Sequence, residues 1–423
     1  MQKLKVLWFT NTPSLLTPEI TGGEISEGSW ISSLELLIRE KEPDIELHIA
    51  FFGNCDKIEV VQFEIVTYYK IPRPGKVGRW IRRLILIPHT RSDVRNILEV
   101  VKKVKPGLIH VFGTESVFGM IADKVGIPVL IQIQGIVSSF IPVYFGNLSL
   151  KKVVNSAGIK DFLSAGVLFR YLNEKKRAKR ELQILKKTKY ILGRTGFDKS
   201  FAFQVNPGVK YYHLDDVIRL DFFVERSQKQ RSVRPVLLTV IHAEYYKGLD
   251  LIFQTCEELQ RHDIDFEWRI AGLSENDPIV KVIKKAAGFT NSKPKISFLG
   301  KIGANQLVDE MIGSNIYIHP SFIENSSIAV CEAMCLGFPV IAANVGGTPS
   351  IIEDGVSGVL YPPGNSEELV LAIKKIMDDP DFARVLGENA RKSALVRHNS
   401  ETIYRELRKI YSEVSGFNFT SSE

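Results

Sequence analysis

The sequence predicts an α/β protein made of two Rossmann-like, doubly wound domains, and three observations predict it. Short, near-continuous apolar runs ending in Gly or polar residues recur along the chain, as parallel strands covered on both faces require. Stretches of helical periodicity alternate with them. The alternation lapses over 205–234 and then resumes, so a chain of 423 residues divides into two domains of ordinary size.

Leu4–Thr10 reads as the first strand, followed by a helical pattern from about Ser29 to Glu40 and a second strand over Glu46–Phe52. Leu108–Gly113, Pro128–Gly135 and Tyr190–Thr195 are further strand-and-turn units. Past the irregular stretch, strands are expected at Pro235–Ile241, Phe266–Gly272, Lys295–Gly300, Ile316–His319 and Pro339–Ala343. The expected bounds are therefore 1–205 for the first domain, 206–234 for the connection, 235–398 for the second domain, and 399–423 for a last helix with a frayed tail. In that helix Ile403, Leu407, Ile410 and Tyr411 recur at helical spacing. Their apolar face packs either on the second domain or back on the first.

Composition narrows the class. With 44% hydrophobic and 24% charged residues the chain reads as a soluble globular protein, and no run approaches the ~18 uninterrupted apolar residues of a membrane span. Met1–Lys5 leads straight into a strand rather than a secretion signal, so a cytoplasmic protein is expected. Cys55, Cys256, Cys331 and Cys335 have no metal-ligand spacing, and His110, His213, His242 and His319 are scattered, so no metal site is expected. The net charge of +7 admits an anionic partner without naming one, and nothing beyond charge suggests nucleic acid. The excess is local. The run from Lys70 through Arg83 to Ile87 interleaves cations with Trp80 and aliphatic residues, which suits either an anionic membrane surface or a solvated loop followed by a core element. Lys175, Lys176, Arg177, Lys179, Arg180, Lys186 and Lys187 instead read as an exposed helix face.

The most informative segment runs from Ile318 to Met334. Glu324 follows a short strand, Glu332 lies seven intervening residues later inside the helix that begins after it, and Ser326 or Ser327 can cap that helix. Both carboxylates thus fall at the carboxyl end of a strand, where open α/β sheets bind ligands. The free N–H groups of the helix start form an anion cradle, and the glutamates can accept hydroxyl protons. The combination suits a phosphorylated sugar.

Continued through Ala333–Ala342, Gly346–Gly347–Thr348–Pro349 and Ile352–Gly358, with Lys247–Gly248 upstream, the segment resembles the retaining nucleotide-sugar glycosyltransferases of family 4, which carry a Glu-x₇-Glu signature. The resemblance implies the GT-B fold: two Rossmann-like domains facing across a cleft, with the C-terminal helix crossing back to the N-terminal domain. It implies that Glu332 holds the donor ribose, that Glu324 contacts the transferred sugar and that Lys247 binds the diphosphate. The glycine pair Gly22–Gly23 would approach the donor from the first domain. The chain departs from the family at His242, where many relatives carry Arg, and at Gln134, where they often carry His. Charge on the leaving diphosphate would then fall to Lys247, to His242 if protonated, to tyrosine hydroxyls, to another cation from the opposite domain, or to the N–H groups near Ser326 and Ser327. Gln134 can hydrogen-bond an acceptor hydroxyl but cannot serve as a base, which favours a front-face transfer in which the departing phosphate takes the acceptor proton. Trp30 either lines an acceptor groove or packs in the core.

The implied activity is retaining, metal-independent transfer of a hexosyl unit from a UDP- or GDP-sugar to a glycan or lipid-linked saccharide in cell-surface polysaccharide or glycoconjugate biosynthesis. The expected place is the cytoplasm, and the residue pattern of Lys70–Arg83 admits peripheral contact at the inner membrane face as one of its two readings. No cofactor is expected. A nucleotide-sugar epimerase on the same fold, or a carbohydrate-binding protein without catalysis, is the alternative.

Overall fold

The computed structural model describes residues 3–15, 30–224, 234–289 and 295–419. The chain forms two compact units: Met1–Ile141 with Phe169–Val217 and His398–Glu423, and Pro142–Leu168 with Ile218–Arg397.

The first unit is built on an eight-stranded sheet of β1 (Leu4–Phe9), β2 (Ile45–Gly53), β3 (Glu59–Phe63), β4 (Val66–Pro72), β5 (Leu108–Phe112), β6 (Val129–Gln132), β7 (Tyr190–Gly193) and β8 (Lys210–His213). Their order is β3-β4-β2-β1-β5-β6-β7-β8, and every pair is parallel except β3 with β4. Alternate residues of β1 serve two cores: Val6 and Trp8 pack on one face of the sheet, Leu7 and Phe9 on the other. That is why the strand reads as a continuous apolar run. The order reverses between β1 and β5, in register Val6 with Leu108.

The last helix, Ser400–Ser415, belongs to this unit. Asn399 caps its start by accepting from Thr402 N–H at 2.9 Å, and Gly416 ends it in the left-handed region at φ 74°. Its buried face sets Ile403, Leu407, Ile410 and Val414 against the β1 core. At the centre, Trp8 Nε1–H donates to the Tyr411 hydroxyl at 3.0 Å, and that hydroxyl meets His110 Nδ1 at 2.8 Å. Burial lowers the His110 imidazole to about 3, so the ring is neutral and accepts.

The second unit holds a six-stranded parallel sheet: β9 (Val236–Val240), β10 (Glu267–Ala271), β11 (Ile296–Gly300), β12 (Ile316–His319), β13 (Val340–Ala343) and β14 (Val359–Tyr361), in the order β11-β10-β9-β12-β13-β14. After β9 the chain builds outward through β10 and β11, then returns to place β12 on the other side of β9. The carboxyl edge at β9 and β12 is therefore the switch point, where ligands bind in such sheets.

Three sequence expectations differ from this structure. The first domain does not run unbroken to residue 205, because Pro142–Leu168 packs with the second unit. Asn147 fastens it there: its backbone N–H donates to Asp250 Oδ2 at 3.0 Å and its side-chain amide to the Gly364 carbonyl at 2.8 Å, while the Tyr144 ring meets Tyr245 and Tyr246. Nor is 206–234 wholly a connection, since β8 completes the first sheet and Phe222 is buried in the second core. The run from Lys70 ends β4, where Ile71 is buried in the core, and continues into a helix, Lys76–Leu84, of which no residue is buried, so the helix is not the core element expected after the loop.

Candidate active site on the second unit

Two loops build the site at the switch point. After β9 the chain passes through a short 3₁₀ turn, Tyr245–Lys247, and Gly248 then starts the helix Leu249–Arg261. Gly248 has φ +82°, and a Cβ there would stand 2.2 Å from the Pro320 carbonyl oxygen, so this glycine permits both the turn and the close approach of the β12 loop. Phe322 N–H donates to the Tyr246 carbonyl at 2.8 Å, joining the two loops. The Gly346–Gly347 pair holds the β12 loop from its far side: Gly347 N–H donates to the Glu324 carbonyl at 3.0 Å, and a Cβ on Gly346 would lie 2.0 Å from the same oxygen.

Those loops bring together two of the residues singled out from sequence. Lys247 Nζ lies 2.6 Å from Glu324 Oε2, and both side chains are mostly buried. His319, the last residue of β12, adds its Nε2 at 3.1 Å to the same carboxylate oxygen. Burial opposes ionisation of Glu324, but the Lys247 charge and the His319 hydrogen bond more than reverse this and hold the carboxyl far below its usual range. Burial lowers the His319 imidazole despite the Glu324 charge, which makes it a neutral N–H donor to the carboxylate. The result is an ionised glutamate held by a cation at a sheet edge, with lone pairs left for hydroxyl donors.

Ser327 is the cap of the helix Ile328–Cys335, accepting from Val330 N–H at 3.4 Å, and Ser326 beside it is buried at the same helix start. On that helix Glu332 is buried and accepts from Arg219 through Nε at 3.0 Å and Nη2 at 2.6 Å. Burial pushes the Glu332 carboxyl up to about 7 against the opposing pull of Arg219. Tyr317 on β12 lies within the fields of both signature glutamates, and its phenol is raised well above the ordinary value, by burial first and by their charges second.

His242 sits on the loop just past β9 with an open surface. Partial desolvation and then the Lys247 ammonium lower its imidazole, which works against the protonated form that would stand in for arginine. In the first unit, Gln134 and Trp30 both meet Arg194: the guanidinium donates to the Gln134 carbonyl at 2.6 Å and lies 5.5 Å from the Trp30 ring centre. Trp30 also packs on Phe112 at the edge of the core. Gly22 and Gly23 lie outside the described residues.

Sequence reasoning missed Arg219 and His319 as members of the site. His319 carried a usable signal in its position at the strand end, five residues before Glu324; Arg219 carried none, because it lies in the irregular stretch 113 residues from its partner. Among the described residues no group of three His, Cys, Asp or Glu side chains could hold a metal ion. Of the four cysteines, Cys256, Cys331 and Cys335 are buried free thiols.

Two doubly wound units on largely parallel sheets, the second with its switch point at β9 and β12, place the molecule in the GT-B class. Residues 222–393, which lie within the second unit, match the family model described as Glycosyl transferases group 1. The chain is 26% identical over 182 residues to alpha-D-kanosaminyltransferase of Streptomyces kanamyceticus, a match covering 43% of this chain and 46% of that protein. It is 28% identical over 177 residues to sulfoquinovosyl transferase SQD2 of Arabidopsis thaliana, covering 40% of this chain and 32% of that one. Matches to these relatives thus span less than half of their length. Among solved structures, sucrose-phosphate synthase from Thermosynechococcus elongatus superposes with a TM-score of 0.73 over 98% of this chain and 100% of that one, at 14% identity. Anabaena Alr3699/HepE in complex with UDP and glucose gives 0.65 over 97% and 99%, at 16% identity. At such identities these likenesses establish the fold.

Proposed function

We propose that the protein is a retaining hexosyltransferase that moves a sugar from a UDP- or GDP-sugar to a glycan or lipid-linked saccharide in the cytoplasm, in the making of cell-surface polysaccharide or glycoconjugate. The observation that carries this reading is the Glu324–Lys247 pair at 2.6 Å on the switch-point edge of the unit that matches group 1 glycosyltransferases. Glu324 accepts hydroxyls of the transferred sugar, Glu332 accepts the ribose hydroxyls, and Lys247 with the N–H groups at Ser326 and Ser327 meets the diphosphate. As the anomeric carbon–oxygen bond to the β-phosphate breaks, negative charge grows on that phosphate oxygen, where these donors stabilise it. The acceptor oxygen bonds to the same face of the anomeric carbon, and its proton passes to the departing phosphate. A base is not needed on the side chains, and neither is a metal ion.

Thermal stabilisation by a panel of UDP-, GDP-, ADP- and CMP-sugars identifies the donor. With that donor, Glu324→Gln and Lys247→Ala are each expected to lower turnover at least ~10²-fold, since a donor to developing charge supplies roughly 2.7–4 kcal/mol. Chelator leaves turnover intact. Wild-type rates in both variants, with the fold intact, would remove the site assignment. His242, standing where many relatives carry a permanently charged guanidinium, favours one second reading, a nucleotide-sugar-binding protein without transfer. Tight donor binding without transfer or donor isomerisation across a broad acceptor panel selects that reading.

A further inference from the structure

Between Glu64 and Asp93 the chain contains no acidic residue and seven Lys or Arg residues. Within that stretch the helix Lys76–Leu84 has no buried residue. Val77, Trp80, Ile81 and Leu84, at helical spacings of three and four, form one apolar stripe about 100° wide. It is open to solvent: Val77 is 70% and Trp80 41% exposed, and exposed Ile85 and Ile87 extend it past the helix end. Lys76 and Arg83 flank the stripe on one side.

The back of the helix is fastened. Arg82, on the face turned away from the stripe, pairs with Asp93 at 2.8 Å, and the Asn173 amide donates to the Arg83 carbonyl at 2.8 Å. Asn173 lies on the long helix Val167–Lys187, whose Lys175 and Lys176 are exposed and widen the basic field. A fastened helix that turns its apolar stripe outward, rimmed by cations and free of acids, is not a core element that failed to pack.

We propose that the helix Lys76–Leu84 with Ile85 and Ile87 is a membrane-docking element that lies in the headgroup region of an anionic bilayer. A convex stripe offers no pocket to a peptide, and a planar anionic surface requires none. Trp80 suits the apolar boundary, and the cations find lipid phosphates at the same depth. A second copy of the chain is disfavoured, because a two-fold contact through this face would set cation against cation. The element goes beyond the proposed sugar transfer and does not depend on it.

The test uses the full chain with vesicles of phosphatidylcholine alone or mixed with phosphatidylglycerol. Flotation with the anionic vesicles only is expected, weakening as salt rises. Arg73→Glu with Lys76→Glu lowers partitioning at least ~20-fold, on the basis of about fivefold for each surface cation lost. Ile81→Asp abolishes flotation. Trp8 and Trp268 are fully buried and Trp30 is partly buried against Phe112, so the exposed Trp80 is the tryptophan whose emission shifts to the blue on vesicle binding; Trp80→Phe still floats but loses that shift, which separates it from Trp30. Donor-induced thermal stabilisation is unchanged in all these variants, which separates this proposal from the donor site. The proposal is overturned if anionic and neutral vesicles are bound equally, if neither is bound, if the charge reversals have no effect, or if Ile81→Asp instead dissolves a concentration-dependent dimer.

Discussion

Glu332 is the residue whose state neutral pH decides. Its carboxyl is pushed up to about 7 by burial, against an ordinary value of 4.5, with Arg219 pulling the other way. From 4.5 to about 7 the folded chain therefore holds a proton that the unfolded chain has released, so this group stabilises the fold below that window and the contribution is lost as pH rises through it. In the proposed role of Glu332 at the donor ribose, donor binding follows the opposite course, because only the carboxylate accepts both ribose hydroxyls. Calorimetric titration with the identified donor is expected to give about tenfold tighter binding near pH 8 than near pH 6, the ratio of ionised fractions around such a pKa. Glu332→Gln flattens the profile; a flat profile in the unaltered protein would remove Glu332 from the ribose. At this scale the sequence was legible where one segment carried the chemistry: Glu324, Glu332 and the serine cap are read from a single run of residues. Their pairing was not: Lys247 was singled out as a diphosphate ligand and not as the partner of Glu324, and His319 and Arg219 were missed, because all three reach the glutamates through the register of β9 with β12 and through the core, not through spacing.

At the scale of elements, the site depends on how tightly the loops after β9 and β12 pack, and Gly248 is where that packing is closest. Two costs fall on Gly248→Ala: about 1–3 kcal/mol for a side chain held in the left-handed region, and displacement of the Pro320 carbonyl, which a Cβ would approach to 2.2 Å. Gly355 separates the two, since it has φ +72° and nothing within 4 Å of its ideal Cβ. Gly355→Ala is expected to lose the backbone cost alone in urea unfolding and to keep full donor stabilisation. Gly248→Ala loses more and forfeits donor stabilisation, because Lys247 moves with the turn. Equal losses in the two variants, with donor stabilisation kept in both, would mean that loop contact does not position the lysine. The buried strands were legible as apolar runs for the same reason that the loops are precise: both faces of each sheet are covered. β3, β4, β8 and β14 escaped the reading because they are short or mixed. β3 is largely exposed, β8 has no buried residue, and β14 spans three residues. Pro142–Leu168 escaped because what ties it to the second unit, namely Asn147, a few aromatic rings and the packing of its helix Leu150–Leu163 on the helix Pro278–Ala287, is tertiary contact that leaves no mark in sequence spacing.

For the molecule as a whole, the chain leaves the second unit at Arg397 and ends in the first, so the first unit is completed only by the last residues of the sequence. The helix Ser400–Ser415 adds a full apolar face to the β1 core, and polar contacts fix its register. Tyr404 donates to the Lys41 carbonyl at 2.9 Å, Arg408 pairs with Glu42 at 2.8 Å, and Tyr411 bridges Trp8 and His110. Neither half of that bridge is exposed, so Tyr411→Phe leaves an indole N–H and an imidazole nitrogen without their partner, at about 1–3 kcal/mol for each stranded group. Removing residues 399–423 takes away the whole face. The first unit then exposes Trp8, Leu108 and Phe112 and is expected to lose amide protection across β1 and β5, while the second unit, whose core includes none of these residues, keeps its own cooperative transition and its stabilisation by donor. Hydrogen exchange resolved by strand distinguishes the outcomes: protection retained in β1 after the truncation would show that the helix is an appendage, whereas loss confined to the first sheet, with a milder loss in Tyr411→Phe, makes the carboxyl terminus a structural member of the unit that begins the chain.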